Sequence, residues 1–217
     1  MIARFSNDTA LLLIDVQKGV HVYDHWGGPT GRMNNSGCED NLRALLTAFR
    51  GAGRQIAFTR HDSNEPDSPL KFSLPTGAQL DGLETEPGDI VVEKDVNSGF
   101  IGTNLEIELR RAGISRLVVA GYFTNFCVET TVRMAGNMGF DVYLAEDACA
   151  TCNRIDRKGR DHDPELVHDI SVAAMHGEFC TALHTDQLLG LLTSDAPNLT
   201  RAQGNEPASA KPELRIA

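Results

Sequence analysis

Short apolar runs alternate with amphipathic helical patterns along most of this 217-residue chain. The apolar runs predict six strands, at residues 10–16, 55–59, 89–93, 116–121, 141–144 and 180–184. Apolar residues at helical spacing predict helices at residues 39–50, 104–112, 126–138, 164–177 and 185–192. Because such alternation is typical of parallel βαβ units, the sequence predicts an α/β fold.

Two long stretches lack any periodic pattern. Residues 18–37 are rich in Gly, Asn and aromatic side chains, and residues 60–87 contain four prolines. We predict long loops at both places, and loops of this length are usually functional. Residues 1–192 are predicted to form one domain. Residues 193–217 have little aliphatic content and are predicted to form a flexible C-terminal tail.

The composition is that of an ordinary globular protein, with 41% hydrophobic and 23% charged residues. Thirty acidic against 20 basic residues give a formal net charge of −10, which would repel phosphate backbones and anionic lipid. We therefore expect neither a nucleic-acid nor a membrane partner.

The first apolar run is too short for a signal segment, and five cysteines, an odd number, favour reduced thiols. These features predict a cytoplasmic protein.

Three side chains that could take part in a reaction lie at or after the ends of predicted strands. Asp15 ends the first strand, Lys94 follows the third, and Cys127 lies in the first turn of the helix after the fourth, for which Thr124 is the candidate N-cap. Because the carboxyl ends of strands in an open α/β sheet meet at one crevice, we expect these side chains to converge there.

The three residue types fit nucleophilic catalysis. A helix N-terminus and a nearby ammonium would lower the pKa of the Cys127 thiol. Asp15 could take the thiol proton as general base and return it to a leaving amine as general acid. The alternative interpretation is a buried structural cysteine, an aspartate that caps a turn and a solvated lysine.

Local sequence supports the catalytic interpretation. The segments LLLIDVQ (11–17), VVEKDVNSGFIGTNL (91–105) and VVAGYFTNFCVETTVRMA (118–135) resemble the isochorismatase-like cysteine hydrolase family. The resemblance spans about residues 9 to 192 and includes the pattern Gly-x-x-Thr-x-x-Cys-Val. It implies a three-layer α/β/α Rossmann-like fold with a six-stranded, mostly parallel sheet. It also implies that Asp15, Lys94 and Cys127 form an Asp/Lys/Cys catalytic triad.

The resemblance implies further features of the site. A cis peptide bond is expected between Tyr122 and Phe123, with the backbone N–H groups of Phe123 and Cys127 forming an oxyanion hole. The implied activity is cleavage of a C–N bond in a small amide, ureide or lactam through a cysteine thioester, without a cofactor. Family members are commonly homodimers or homotetramers, so we expect one of these states.

Six residues are candidates for substrate contact. Gln17 would reach the pocket or anchor its loop, and His61 would contact substrate or be a hydrogen-bonded loop histidine. Phe100 resembles the family's aromatic pocket residue. His21 and Trp26 would line the pocket or pack their own loop, and Tyr122 is the sixth candidate.

The sequence predicts no metal. Nicotinamidases of the same superfamily hold a metal with an Asp-x-His motif and further histidines, whereas His61 here has no second histidine until His162. Asp62 and Asp67 leave a weak oxygen site conceivable. Histidines at 162, 168 and 176 are expected to serve as helix caps or at an interface, with metal binding as the alternative.

The pair Cys149-x-x-Cys152 is interpreted as two small residues in a turn, with a redox pair as the alternative. Two other functions stay open for the whole chain. One is vinyl-ether hydrolysis of the isochorismatase type, against which Cys127 argues because true isochorismatases typically lack a nucleophilic cysteine. The other is a non-catalytic or thiol-sensing protein on the same fold. The sequence does not reveal the substrate.

Overall fold

A parallel sheet forms the centre of the computed structural model, which describes Ile2 and residues 4–193. Its strands lie in the order β3-β2-β1-β4-β5-β8, and every neighbouring pair is parallel. A separate antiparallel pair, β6 with β7, follows β5 in the chain. The strands are β1 (Thr9–Ile14), β2 (Gln55–His61), β3 (Ile90–Lys94), β4 (Arg116–Tyr122), β5 (Asp141–Ala150), β6 (Arg154–Ile155), β7 (Asp161–His162) and β8 (Thr181–Leu183).

Helices cover both faces of the sheet and give three layers. Their apolar sides form two clusters, one with α2 and α6 and the other with α3, α4 and α5. The helices are α1 (Tyr23–Gly27), α2 (Cys38–Gly51), α3 (Leu105–Arg111), α4 (Glu129–Asn137), α5 (Pro164–Met175) and α6 (Thr185–Thr193).

Strand β1 lies in the middle of the sheet and is buried on both faces. This burial explains why polar residues do not alternate with apolar ones in the first apolar run. All six residues of β1 are buried. Because side chains alternate across a strand, Leu11 and Leu13 pack into one cluster while Leu12 and Ile14 pack into the other. The predicted α/β fold is therefore confirmed, with a fully parallel six-stranded sheet in the described part of the chain.

Several predicted boundaries were wrong. Strand β5 continues to Ala150, and its last residues pair with the end of β4 after a register shift. The stretch 18–37 is not only loop, because it contains α1. The pair β6–β7 was missed because two-residue strands leave no periodic signal.

The helix that carries Cys127 also begins differently from the prediction. Residues Thr124–Val128 form a π-helical turn, and α4 follows from Glu129. Thr124 is not a helix cap: its hydroxyl lies 2.9 Å from Nδ1 of His168 on α5.

The remaining predictions concern the C-terminal tail, the location of the protein and its oligomeric state. Of the predicted tail, Thr193 closes α6, and the rest lies outside the described residues. Among the described residues, no helix combines the length and apolarity needed to cross a bilayer. The cytoplasmic location and the homodimer or homotetramer stay predictions.

Gly121 lets β1 and β4 approach each other at the edge that carries the site. It has φ of 127°, and a Cβ built there would lie 2.2 Å from the carbonyl oxygen of Ile14. By contrast, a Cβ on Gly190 in α6 would meet no atom within 4 Å.

We predict that Gly121→Ala lowers the free energy of unfolding by at least about 2 kcal/mol, through backbone strain and overpacking. Gly190→Ala should instead raise it by about 0.5–1 kcal/mol, because alanine is the better helix residue. Urea unfolding of both variants and the wild type measures the two effects. A Gly121→Ala protein as stable as the wild type would contradict the role given to this close approach.

Candidate active site

The structure brings Asp15, Lys94 and Cys127 together at the carboxyl edge of the sheet. Asp15 directly follows β1, Lys94 ends β3, and Cys127 lies in the π-helical turn after β4. Lys94 Nζ lies 2.6 Å from Oδ2 of Asp15 and 3.4 Å from Sγ of Cys127. All three side chains are buried. The convergence expected from the strand ends is therefore present in the fold.

His61 is a fourth member of this cluster. It ends β2, where it pairs with Lys94 in the β2–β3 register. Its Nδ1 lies 3.0 Å from Lys94 Nζ and 3.7 Å from Cys127 Sγ. Because an ammonium can only donate, Nδ1 must accept this hydrogen bond and so carries no proton.

Lys94 shares its three protons among four acceptors. Besides Asp15, His61 and Cys127, it donates to the carbonyl oxygen of Val96 at 3.1 Å. Its side chain is 0% exposed, so the protein replaces all of its hydration. A lysine held in this way acts as a fixed positive charge at the centre of the cluster.

The ion pair keeps Asp15 ionised. Burial raises the pKa of Asp15, but the charge of Lys94 overcomes this effect and lowers that pKa to about 2. Burial likewise lowers the pKa of Lys94, while Asp15 and Cys127 raise it, and the net direction is upward. Both partners are therefore charged at neutral pH.

The thiol of Cys127 behaves contrary to the sequence-based expectation. Burial and the neighbouring charge of Asp15 raise its pKa well above the ordinary value, and Lys94 offsets only part of this effect. The expected lowering of the thiol pKa was therefore wrong. The Asp15 carboxylate lies within 4.8 Å of Sγ and is the candidate acceptor for the thiol proton.

Two polar residues, Thr59 and Gln17, hydrogen-bond to Asp15 and His61. The hydroxyl of Thr59 on β2 donates to Oδ1 of Asp15 at 2.6 Å. Gln17 does not line the cavity. Its amide oxygen accepts from the backbone N–H of His61 at 2.7 Å, and its nitrogen donates to the carbonyl oxygens of His61 and Gly77. Gln17 therefore anchors its loop, which is the alternative stated for it.

A small cavity of about 40 Å³ opens onto Cys127. Its polar lining comes from Asp15, His61, Asn97 and Cys127, and the rest is apolar or aromatic, from Val20, Trp26, Leu70, Tyr122, Phe123 and Phe126. The rings of Trp26 and Phe123 lie 4.7 Å apart. The peptide bond between Tyr122 and Phe123 is cis.

A cap formed by the segment after β5 holds Trp26 over this cavity. Asn153 is fully buried and donates to the carbonyl oxygen of Gly27 at 2.9 Å. Arg154 donates to the carbonyl oxygen of Trp26 at 2.7 Å and lies over the ring of Phe126. No pattern in the sequence connects residues so far apart in the chain, so this cap was not predicted.

Two candidate contact residues lie away from the cavity. His21 is half-exposed and pairs with Glu39 at 2.9 Å, facing a different cavity. Phe100 is buried against Phe140, with ring centroids 6.0 Å apart. Neither residue lines the cavity at Cys127. Their contact with substrate stays a prediction.

The donor atoms of Asp15, His61 and Cys127 lie close enough to suggest a metal site, within 4.8 Å of one another. Lys94 Nζ, however, lies 2.6–3.4 Å from an atom of each residue. A divalent cation would have to displace this buried ammonium, so the donor set does not fit a metal while Lys94 is charged.

The other candidate metal or redox groups are separated. Hydrogen-bonding contacts join the three later histidines to different partners: His162 to Asp156, His168 to Thr124 and His176 to the N–H of Ala182. Asp62 accepts from the N–H of Phe72. Cys149 and Cys152 are both free and buried, and Cys149 belongs to β5 rather than to a turn.

Comparisons with known proteins match this fold and site to one family. The family model for the isochorismatase domain matches residues 9–187. An uncharacterized isochorismatase family protein, YrdC from Bacillus subtilis (strain 168), is 37% identical over 83% of this chain and 94% of its own length. The ureidoacrylate amidohydrolase RutB of Agrobacterium fabrum is 31% identical over 65% of this chain and 75% of its own.

A solved structure agrees with these matches. A putative hydrolase of the isochorismatase family from Chromobacterium violaceum superimposes with a TM-score of 0.80 and 42% identity, covering 88% of this chain and 97% of that one. The fold is thus the α/β fold of isochorismatase-family structures, with a six-stranded parallel sheet. The chain belongs to the isochorismatase family.

We predict that Lys94→Met lowers the free energy of unfolding at pH 7 by about 3–5 kcal/mol, because it leaves the buried carboxylate of Asp15 without a partner. Chemical denaturation measures the change. Lys18→Met is the matched control. It removes an ammonium from an exposed pair with Asp81, so its unfolding midpoint should match the wild type.

The pH dependence gives this prediction a second check. The pKa of Asp15 is about 2 in the folded protein against an ordinary 3.8, so the ionised carboxylate contributes its stability above about pH 4 and loses it as the pH falls toward 2. In Lys94→Met, Asp15 takes up a proton at higher pH. The difference in the free energy of unfolding between the variant and the wild type should therefore become smaller as the pH falls. A difference that does not change with pH would contradict the ion-pair explanation.

Proposed function

We propose that this protein is a cysteine hydrolase that cleaves a C–N bond of a small amide, ureide or lactam through a thioester on Cys127. The observation that carries the proposal is the buried cluster of Cys127, Asp15 and Lys94, in which Lys94 Nζ lies 2.6 Å from the Asp15 carboxylate and 3.4 Å from Sγ of Cys127. Nucleophile, base and fixed positive charge are the parts that acyl transfer needs.

In the first half-reaction, Asp15 takes the thiol proton as Sγ attacks the carbonyl carbon of the substrate. The new C–S bond forms as the C–N bond breaks, and Asp15 returns the proton to the departing amine or ammonia. In the second, Asp15 takes a proton from water as the water oxygen attacks the thioester carbon. The C–S bond breaks, the acid product leaves, and Asp15 returns the proton to the thiolate of Cys127. Lys94 stabilises the thiolate in both halves.

We assign charge stabilisation on the carbonyl oxygen to backbone N–H groups of Phe123 and Cys127, two residues that line the cavity. One such donor contributes about 3 kcal/mol in other acyl-transfer enzymes. The relationship to ureidoacrylate amidohydrolases supports C–N cleavage as the reaction class. The burial of Cys127 weighs against a thiol sensor, because sensor cysteines are exposed and have a low pKa.

The test is release of amine or ammonia from a panel of small amides, ureides and lactams, with isochorismate added as the vinyl ether. We predict that Cys127→Ala lowers kcat/KM by at least about 1000-fold, because the covalent route is lost. Cys152→Ala, which removes a buried thiol outside the cavity, should keep wild-type activity.

Activity of Cys127→Ala within about tenfold of the wild type would contradict covalent catalysis. Turnover of isochorismate with no C–N cleavage would instead establish the vinyl-ether alternative.

A further inference from the structure

The cavity at Cys127 offers no positive charge to a bound ligand. Among its lining residues, the only permanently charged side chain is Asp15, which is negative. The ammonium of Lys94 is not part of the lining, is 0% exposed and is already bonded to the Asp15 carboxylate. A ligand in the cavity therefore faces a negative group and not its counterion.

Two cations that adjoin lining residues, one in space and one in the chain, are engaged elsewhere. Arg154 lies over the ring of Phe126, 4.8 Å from its centroid, and donates to the carbonyl oxygen of Trp26. Lys71, next to Leu70, donates to the carbonyl oxygen of Ser63 at 2.7 Å. Neither belongs to the cavity wall.

The remaining wall would penalise a carboxylate further. Val20, Leu70, Trp26 and Phe126 present apolar surface, and an ionised group buried there without a partner loses its hydration uncompensated. An uncharged amide or ureide has no such loss. The cavity is small, about 40 Å³, which favours a small ligand.

We propose that this site selects small uncharged amides or ureides and rejects substrates that carry a carboxylate. The inference rests on the proposed C–N hydrolase function and narrows its substrate class. It also sets the chain apart from its ureidoacrylate-cleaving relatives, because ureidoacrylate is a carboxylate.

Asn97 is the position from which this selectivity can be changed. It lines the cavity, its Oδ1 lies 3.8 Å from Cys127 Sγ, and it is exposed at the opening toward an outer groove. An arginine there would bring the missing cation without burying its stem in the core. Asn97→Gln is the matched control that changes length but not charge.

The first experiment compares alkylation of Cys127 by iodoacetamide and by iodoacetate, followed by mass spectrometry of the peptide that contains it. The two reagents have similar size and differ in charge. The rate ratio of iodoacetamide to iodoacetate should exceed that of N-acetylcysteine by at least about tenfold. Asn97→Arg should lower the ratio, whereas Asn97→Gln should leave it high. A ratio no larger than that of N-acetylcysteine overturns the inference.

The second experiment uses turnover. Succinamide and succinamate differ by one charge, and 4-methylpentanamide replaces the carboxylate with an isopropyl group. Wild-type kcat/KM should be at least about tenfold higher for both neutral amides than for succinamate. Equal or faster hydrolysis of succinamate overturns the selectivity while leaving the hydrolase function intact. Selective alkylation without hydrolysis of any amide would count against the proposed function alone.

Discussion

The buried ion pair between Lys94 and Asp15 is the interaction on which the rest of the site depends. It joins the ends of β1 and β3, two strands separated in the sheet by β2, and it is completed by Thr59 and His61 from that intervening strand. Two charges taken out of water are stable only when each is fully bonded, which explains why four acceptors surround one ammonium. The same demand fixes the positions of the reacting groups.

The electrostatics of the pair also determine the roles of Asp15 and Cys127. Lys94 keeps Asp15 ionised, while burial and the charge of Asp15 together raise the pKa of the Cys127 thiol. In the proposed mechanism the nucleophile is therefore not a standing thiolate, and it becomes one only as its proton moves to Asp15. A buried protonated thiol is also less reactive toward oxidants and unwanted electrophiles. The ring of Trp26, which the cap holds over the cavity, contributes to that protection by excluding water.

The sequence predicts the sheet and the three converging residues because long aliphatic runs and strand ends are local features. What it misses depends on distant contacts. His61 joins the cluster through the β2–β3 register, and Asn153 and Arg154 hold Trp26 from more than a hundred residues away. The thiol pKa was mispredicted for the same reason, since burial by remote segments outweighs the local helix end. The cis peptide bond and oxyanion hole were expected only through the family resemblance.

The most direct test of this account separates thiol reactivity from hydrolysis in Asp15→Asn. With the carboxylate charge gone and Lys94 still present, the pKa of Cys127 should fall, so iodoacetamide should alkylate it faster at pH 7.5 than in the wild type. Hydrolysis of the best amide should fall by at least about 1000-fold, because the proton acceptor is missing. Slower alkylation together with retained hydrolysis would contradict the role of Asp15 as the base that an ion pair holds ready.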